Sequence, residues 1–211
     1  MKLLTSLLLI IISPAIVNAQ LGIKAGLNFT DVTNVSSVNN QSSSGFNVGI
    51  FYATPYKNIL GSKTELVFSR QGYNYETGTV SGKANLDYIM LPTYMCINIT
   101  KYFQIQLGMQ FGYLMSANVD STNKNSAGLP GSVSSALSYY NRFSYSIGGG
   151  VEVHPYKGLL VGARMNVGLT NLYKVPDASS MASMTTTPSF MPEVNMKSNL
   201  LQIYLGWKFG H

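Results

Sequence analysis

Six charged residues fall inside runs of alternating residue type, on the polar parity of those runs: Lys24, Lys63, Glu65, Glu152, Arg164 and Lys208. Carboxylates set among cations on one face can move protons, gate an ion path or cross-link a structure from within. Buried charges must be paired or hydrogen-bonded. Glu65 and Glu152 are therefore expected to sit in a basic network. Arg164 and Glu152, on runs joined by one short turn, need not be directly opposite, and barrel shear or a shared network would have to bring them together for the two to couple. An ion gate and a structural plug would both use such a network, and the narrow bore inferred below favours the plug.

Other chemistry is poorly supplied. A hydrolase or acyltransferase commonly needs His with Ser or Asp in reach, and the chain has two histidines, His154 and His211. Both are expected at one rim, so no enzyme activity is expected, although Glu65 or Asp87 could act without a histidine. No cofactor or metal site is expected either, with one cysteine, scattered histidines and no acidic calcium loop. Cys96 reads as a small buried filler rather than a reactive thiol, and it excludes an intramolecular disulfide. Gly148-Gly149-Gly150 lies within a strand pattern with no helix start behind it. It therefore reads as a bend or bulge rather than a phosphate cradle. The net charge of +6 is dispersed and the loop segments carry Asp31, Glu76, Asp120, Asp177 and Glu193, so no nucleic-acid partner is expected.

The elements that position these residues announce themselves by a period of two. From Phe103 to Met115 every odd position is large and apolar, while Gln104, Gln106, Gly108, Gln110, Gly112 and Ser116 form the other row, with Leu114 as the exception. An apolar face backed by glutamines suits a wall between lipid and a polar interior. Similar runs cover 21–30, 45–53, 60 to about 75, 86–99, 142–154, 159–172 and 199–210. Pro92 cannot donate to a ladder, so a bulge or break is expected there. The expected fold is all-β: an eight-stranded antiparallel up-and-down transmembrane β-barrel. On that facing, Leu107→Arg should be costly and Gln106→Arg mild.

The connections alternate in length. Long polar stretches lie at about 31–44, 76–85, 120–141 and 173–198, and short turns at 54–58, 100–102 and 154–158. Membrane barrels have short periplasmic turns and longer external loops. Each short turn holds an adjacent tyrosine and lysine, Tyr56-Lys57, Lys101-Tyr102 and Tyr156-Lys157. These are expected to anchor the periplasmic rim, aromatic rings at headgroup level and lysines reaching lipid phosphate. The longest stretch, 173–197, has the Pro, Ser, Thr and Met content of an external loop.

The first 19 residues have an early lysine, an apolar core from Leu7 to Ile12, Pro14 and a small-residue site ending at Ala19. This is the layout of a cleavable signal peptide, leaving residues 20–211 as one barrel domain. Only 10% of residues are charged against 45% hydrophobic, with 14 Tyr and 20 Gly, which excludes a disordered secreted chain.

The run Gly22-Ile23-Lys24-Ala25-Gly26-Leu27-Asn28-Phe29, the segment Glu65-Leu66-Val67-Phe68-Ser69-Arg70-Gln71-Gly72, the stretch Leu86-Asp87-Tyr88-Ile89-Met90-Leu91-Pro92 and a last strand ending at Phe209 together resemble the PorT-like outer-membrane β-barrel family, typical of Bacteroidetes. The resemblance spans the mature chain and implies an outer-membrane location. Where the family ends on an aromatic, this chain adds Gly210 and His211. The expected partners are outer-membrane lipid, the barrel assembly machinery during biogenesis, and a possible secretion or uptake protein. The leading functional expectation is a non-enzymatic barrel acting through its external loops. The alternatives are an accessory component of a secretion or uptake assembly, a lipid-modifying enzyme, and a soluble lipocalin-like binder, whose apolar face would turn inward.

Overall fold

The computed structural model describes residues 20–33, 41–55, 59–77, 80–123, 131–133, 137, 140–174 and 196–209. The expected signal peptide, the Tyr56-Lys57 pair, His211 and most of the 173–198 stretch lie outside these residues. Among them the strands are β1 (Gln20–Thr33), β2 (Gln41–Ala53), β3 (Leu60–Thr77), β4 (Val80–Asn98), β5 (Phe103–Asn123), β6 (Gly131–Val133), β7 (Phe143–Tyr156), β8 (Leu159–Gly168) and β9 (Lys197–Lys208). Eight of them pair antiparallel in a ring, β4-β3-β2-β1-β9-β8-β7-β5, which the β4–β5 pairing closes. The ring leaves no edge strand.

Alternation decides the facing. Leu107, Met109 and Phe111 point outward and are about half exposed, whereas Gln106 is 0% exposed and Gln104 and Gln110 are buried. The same holds around the ring, with Ile23, Ile50, Leu66, Leu91, Ile147, Met165 and Ile203 forming an outer apolar belt. The soluble lipocalin-like arrangement is thereby overturned, since its apolar face would be inside.

The belt ends before the strands do. β3, β4 and β5 rise beyond it, and there polarity is reversed: Tyr73, Ala84, Leu86, Ala117 and Val119 are buried within, while Lys83, Asn118 and Asp120 face out. On β5 the switch is a β-bulge, with a register shift between Asp87 and Tyr88 opposite Ser116 and Leu114. It puts Leu114 and Ala117 both inward. Leu114 is thus the first residue of the inner apolar cap, and Ser116 belongs to the bulge rather than to the glutamine row. The 76–85 stretch, expected as a long polar loop, is mostly paired strand from Arg70↔Asp87 up to Thr77↔Val80. Outside lipid the outward positions are polar, so this extension lacks the apolar signature of a membrane strand. The 120–141 stretch also contains β6, which pairs with Val119–Ser121 on the side of β5 that β7 occupies lower down. It covers an edge that would otherwise be open.

Pro92 brings the break rather than the bulge of the two expected: β4 keeps one register with β3 on either side of it, and the ladder lapses between Thr64↔Thr93 and Val67↔Met90. The glycine triple makes no bulge either, since β7 pairs regularly with β5 and β8 from Gly148 to Gly150. Its use is space. A β-carbon on inward Gly150 would stand 2.6 Å from Arg164 Cγ, so the glycine lets that long side chain leave the wall.

Candidate functional site

The barrel interior is built in layers, each supplied by inward positions of several strands. The widest cross-link lies in the half nearer the short turns. Arg164 on β8 reaches across the bore to β3, where Nη1 and Nη2 donate to Glu65 Oε2 and Oε1 at 2.9 and 2.7 Å. Lys24 on β1 donates to Glu65 Oε2 at 2.6 Å. Lys63 on β3 donates to Glu152 Oε2 on β7 at 2.6 Å and lies 3.8 Å from Glu65 Oε1. All five side chains are buried.

Arg164 and Glu152 make no direct ion pair, and Gln106 bonds to both. Arg164 sits opposite Gly150 and Glu152 opposite Gly162, so neighbours on adjacent strands are offset along the axis while strands across the bore bring their charges level. Lys208, the sixth expected member, is buried at the end of β9 beside the mouth, within electrostatic reach of Glu152.

Neutral groups hold the charges in place, and their bonds to the charges were not expected from the sequence. Gln106 accepts from Arg164 Nε at 2.8 Å and donates to Glu152 Oε2 at 3.1 Å. The Tyr204 hydroxyl donates to Glu152 Oε2 at 2.9 Å. Aromatic faces take the cations: Arg164 stacks 4.1 Å from the Tyr94 ring, Lys24 lies 4.2 Å from Tyr204 and Lys63 4.1 Å from Phe51. A cation over a desolvated ring gains about 2 kcal/mol. Inward parity was the available signal for Gln106, Tyr94 and Tyr204. Cys96 is buried on the same inner face of β4.

Above the charges lies an amide layer. Asn28 donates to Ser69 Oγ at 2.9 Å and to the carbonyls of Phe46 and Arg70, and accepts from Asn47 at 2.8 Å and Gln202 at 3.1 Å. Beside it a cavity of about 40 Å3, lined in part by Gln71, Gln110, Asn166 and Ser144, has room for two or three waters. The far end is closed by the apolar cap of Met90, Tyr88, Leu114, Val32 and Leu200. Over it the Tyr73 hydroxyl meets those of Tyr140, at 2.7 Å, and Tyr173. Burial raises the Tyr73 phenol well above its ordinary range, keeping it a neutral hydrogen-bonding group.

At the opposite end, Lys101, Tyr102, Tyr156 and Lys157 are exposed on two adjacent turns. His154 faces inward there, its Nε2 3.3 Å from Glu152 Oε1. Burial lowers the imidazole to about 4, against the opposing pull of Glu152. Among the described residues no group of three or more His, Cys, Asp or Glu could hold a metal ion.

The family model for outer membrane protein beta-barrel domains matches residues 17–174. No curated protein matches the sequence. Among solved structures, the attachment invasion locus protein Ail of Yersinia pestis aligns with a TM-score of 0.52 at 16% identity, over 91% of this chain and 99% of that one. Neisserial surface protein A aligns with a TM-score of 0.49 at 15% identity, over 90% and 99%. OprG of Pseudomonas aeruginosa aligns with a TM-score of 0.44 at 12% identity, over 92% and 97%. At these identities the likeness is one of fold.

Proposed function

The chain belongs to the family of outer membrane protein beta-barrel domains, and from that premise we propose that this outer-membrane protein is a non-enzymatic barrel that acts by presenting its external end to partners. With short turns at the periplasmic side, the raised β3–β4–β5 sheet stands outside the cell. One observation carries the reading. The bore is filled by its own residues, Arg164 to Glu65 in the half nearer the short turns, the amide layer next and the apolar cap above, while the strands continue past the apolar belt with a polar outer surface. A chain that blocks its conduit and builds outward invests its structure in the external surface. The PorT-like resemblance, a Bacteroidetes-type envelope and cleavage after Ala19 belong to the same reading, supported by the motif residues and the leader composition.

The test is cross-linking on intact cells with a membrane-impermeant reagent, followed by detergent solubilisation and affinity capture. Wild type is compared with a variant whose 178–192 segment is replaced by a Gly-Ser linker of equal length. The expected result is a cross-linked partner seen with wild type and lost with the linker variant. Equal capture by both, or capture only through the periplasmic turns, would overturn this reading and favour an accessory role in a secretion or uptake assembly.

A further inference from the structure

The periplasmic mouth contains a cleft that neither the plug nor the external surface accounts for. Its volume is about 390 Å3, and it is lined by Lys101 and Tyr102 from the β4–β5 turn, the 154–158 segment with Lys157, and Lys208 from the end of β9. That is within the size range of small-molecule sites. Three lysines converge on it, and among the described residues lining it none is acidic. Among the described residues Glu152 lies behind His154, bonds into the lumen with Lys63 and also attracts Lys208, which leaves Lys101 and Lys157 as the exposed cations of the cleft.

The walls are fixed by backbone. His154 N–H donates to the Tyr102 carbonyl at 2.8 Å, joining the two turns, and Lys208 N–H donates to the Gly158 carbonyl at 2.7 Å, joining β9 to the second turn. Thr100 Oγ1 accepts from the N–H groups of Tyr102 and Phe103 at 3.1 and 3.0 Å, stiffening the first. Gly158, at φ +81°, occupies the left-handed region that the tight second turn requires. Anchored turns spare the backbone ordering that binding would otherwise require, leaving only the lysine side chains to be immobilised.

We propose that this cleft binds the phosphoryl headgroup of one anionic glycerophospholipid of the inner leaflet. Charge complementarity selects a phosphate, to which lysine binds as a point charge. Position selects a lipid over a soluble phosphate. Tyr102 and Tyr156 are 53% and 70% exposed at the flanks of the cleft, where amphipathic rings favour the headgroup level. The outward residues Phe103, Val153 and Phe209 begin the belt directly above and offer acyl chains a path. Rim lysines that merely snorkel would hold many lipids loosely, whereas a cleft holds one. The inference rests on the outer-membrane placement and not on the external surface, so the 178–192 linker variant leaves it unchanged.

The test is native mass spectrometry of the full barrel released from phosphatidylcholine nanodiscs doped with phosphatidylglycerol. Wild type is compared with Lys101→Gln/Lys157→Gln, both exposed positions, and unboiled gel mobility reports that each is folded. Wild type is expected to retain one phosphatidylglycerol, and the double variant to retain it roughly tenfold to thirtyfold less, as two lysines near an anionic surface imply. Equal retention by both would overturn the proposal. So would binding of inorganic phosphate, seen as lysine-dependent 31P line broadening, without lipid retention, because the site would then read a soluble anion.

Discussion

Removing the Arg164 guanidinium leaves Glu65 buried with only its two lysine neighbours, and truncating one partner of a buried pair costs about 3 to 5 kcal/mol. Arg164→Ala is expected to destabilise the barrel by that amount in urea unfolding from bilayers. A double-mutant cycle with Glu65→Gln should recover much of the loss, whereas the cycle with Glu152→Gln should show weaker coupling. Larger coupling to Glu152 would refute the assigned partner. Gln106, expected from parity to tolerate arginine, now carries the opposite expectation, because a second guanidinium there displaces bonds to both Arg164 and Glu152. His154 gives a pH signature. Its imidazole falls to about 4 in the folded chain from an ordinary 6.5. Between those values the unfolded chain binds a proton that the folded chain refuses. The stability contribution is therefore complete above about pH 6.5 and is lost as pH falls towards 4. Unfolding measured across that window should show a shallower slope in His154→Gln, and an unchanged slope would show that His154 titrates normally. Within the belt the parity of the charge network was legible in the sequence, because lipid outside and a narrow bore inside place Lys24, Lys63, Glu65, Glu152 and Arg164 on the inward row. The network's pairing was not legible, since barrel shear sets which rows meet and no local pattern encodes it.

At the scale of the strand, the bulge beside Met115 separates two environments on one continuous face. Leu107 and Asn118 both point outward from β5, one within the belt and one beyond it. Leu107→Arg should cost about 2 to 4 kcal/mol, as a cation at the bilayer midplane does, and Asn118→Arg should be close to neutral. Equal costs for the two would place the belt boundary elsewhere. The sequence reading recovered all eight wall strands, because within the belt the alternation is between large apolar and small or polar residues. It ended β3 and β5 too early and began β4 too late. Beyond lipid the outward rows become Lys83, Asn85, Asn118 and Asp120, and such residues read as loop. Leu114 was the one visible sign, an apolar residue in a polar row, and it marks the register change.

For the whole molecule, ring closure predicts that the unboiled protein runs faster on a gel than the boiled one, since opening eight strands requires losing the ladder of every wall at once. A single mobility for both would argue against a closed barrel. The fold was legible because strand parity, loop asymmetry and chain length all point to one architecture. The external cap was not, since it is assembled from separate segments: Tyr73 on β3 meets Tyr140 before β7 and Tyr173 after β8. The reversal of polarity above the belt has a kinetic consequence. Arg70, Lys83, Asp87 and Asp120 point outward on the raised strands, so during insertion each must pass a depth where only apolar side chains are welcome. Carried across on the lipid side, the two cations alone would add roughly 4 to 8 kcal/mol to the crossing. The seated barrel therefore faces the same toll in reverse. Its orientation is a ratchet: once the raised sheet is outside, withdrawal is slow whatever the equilibrium, and a chain that failed to cross would be stranded on the periplasmic side with its strands unpaired.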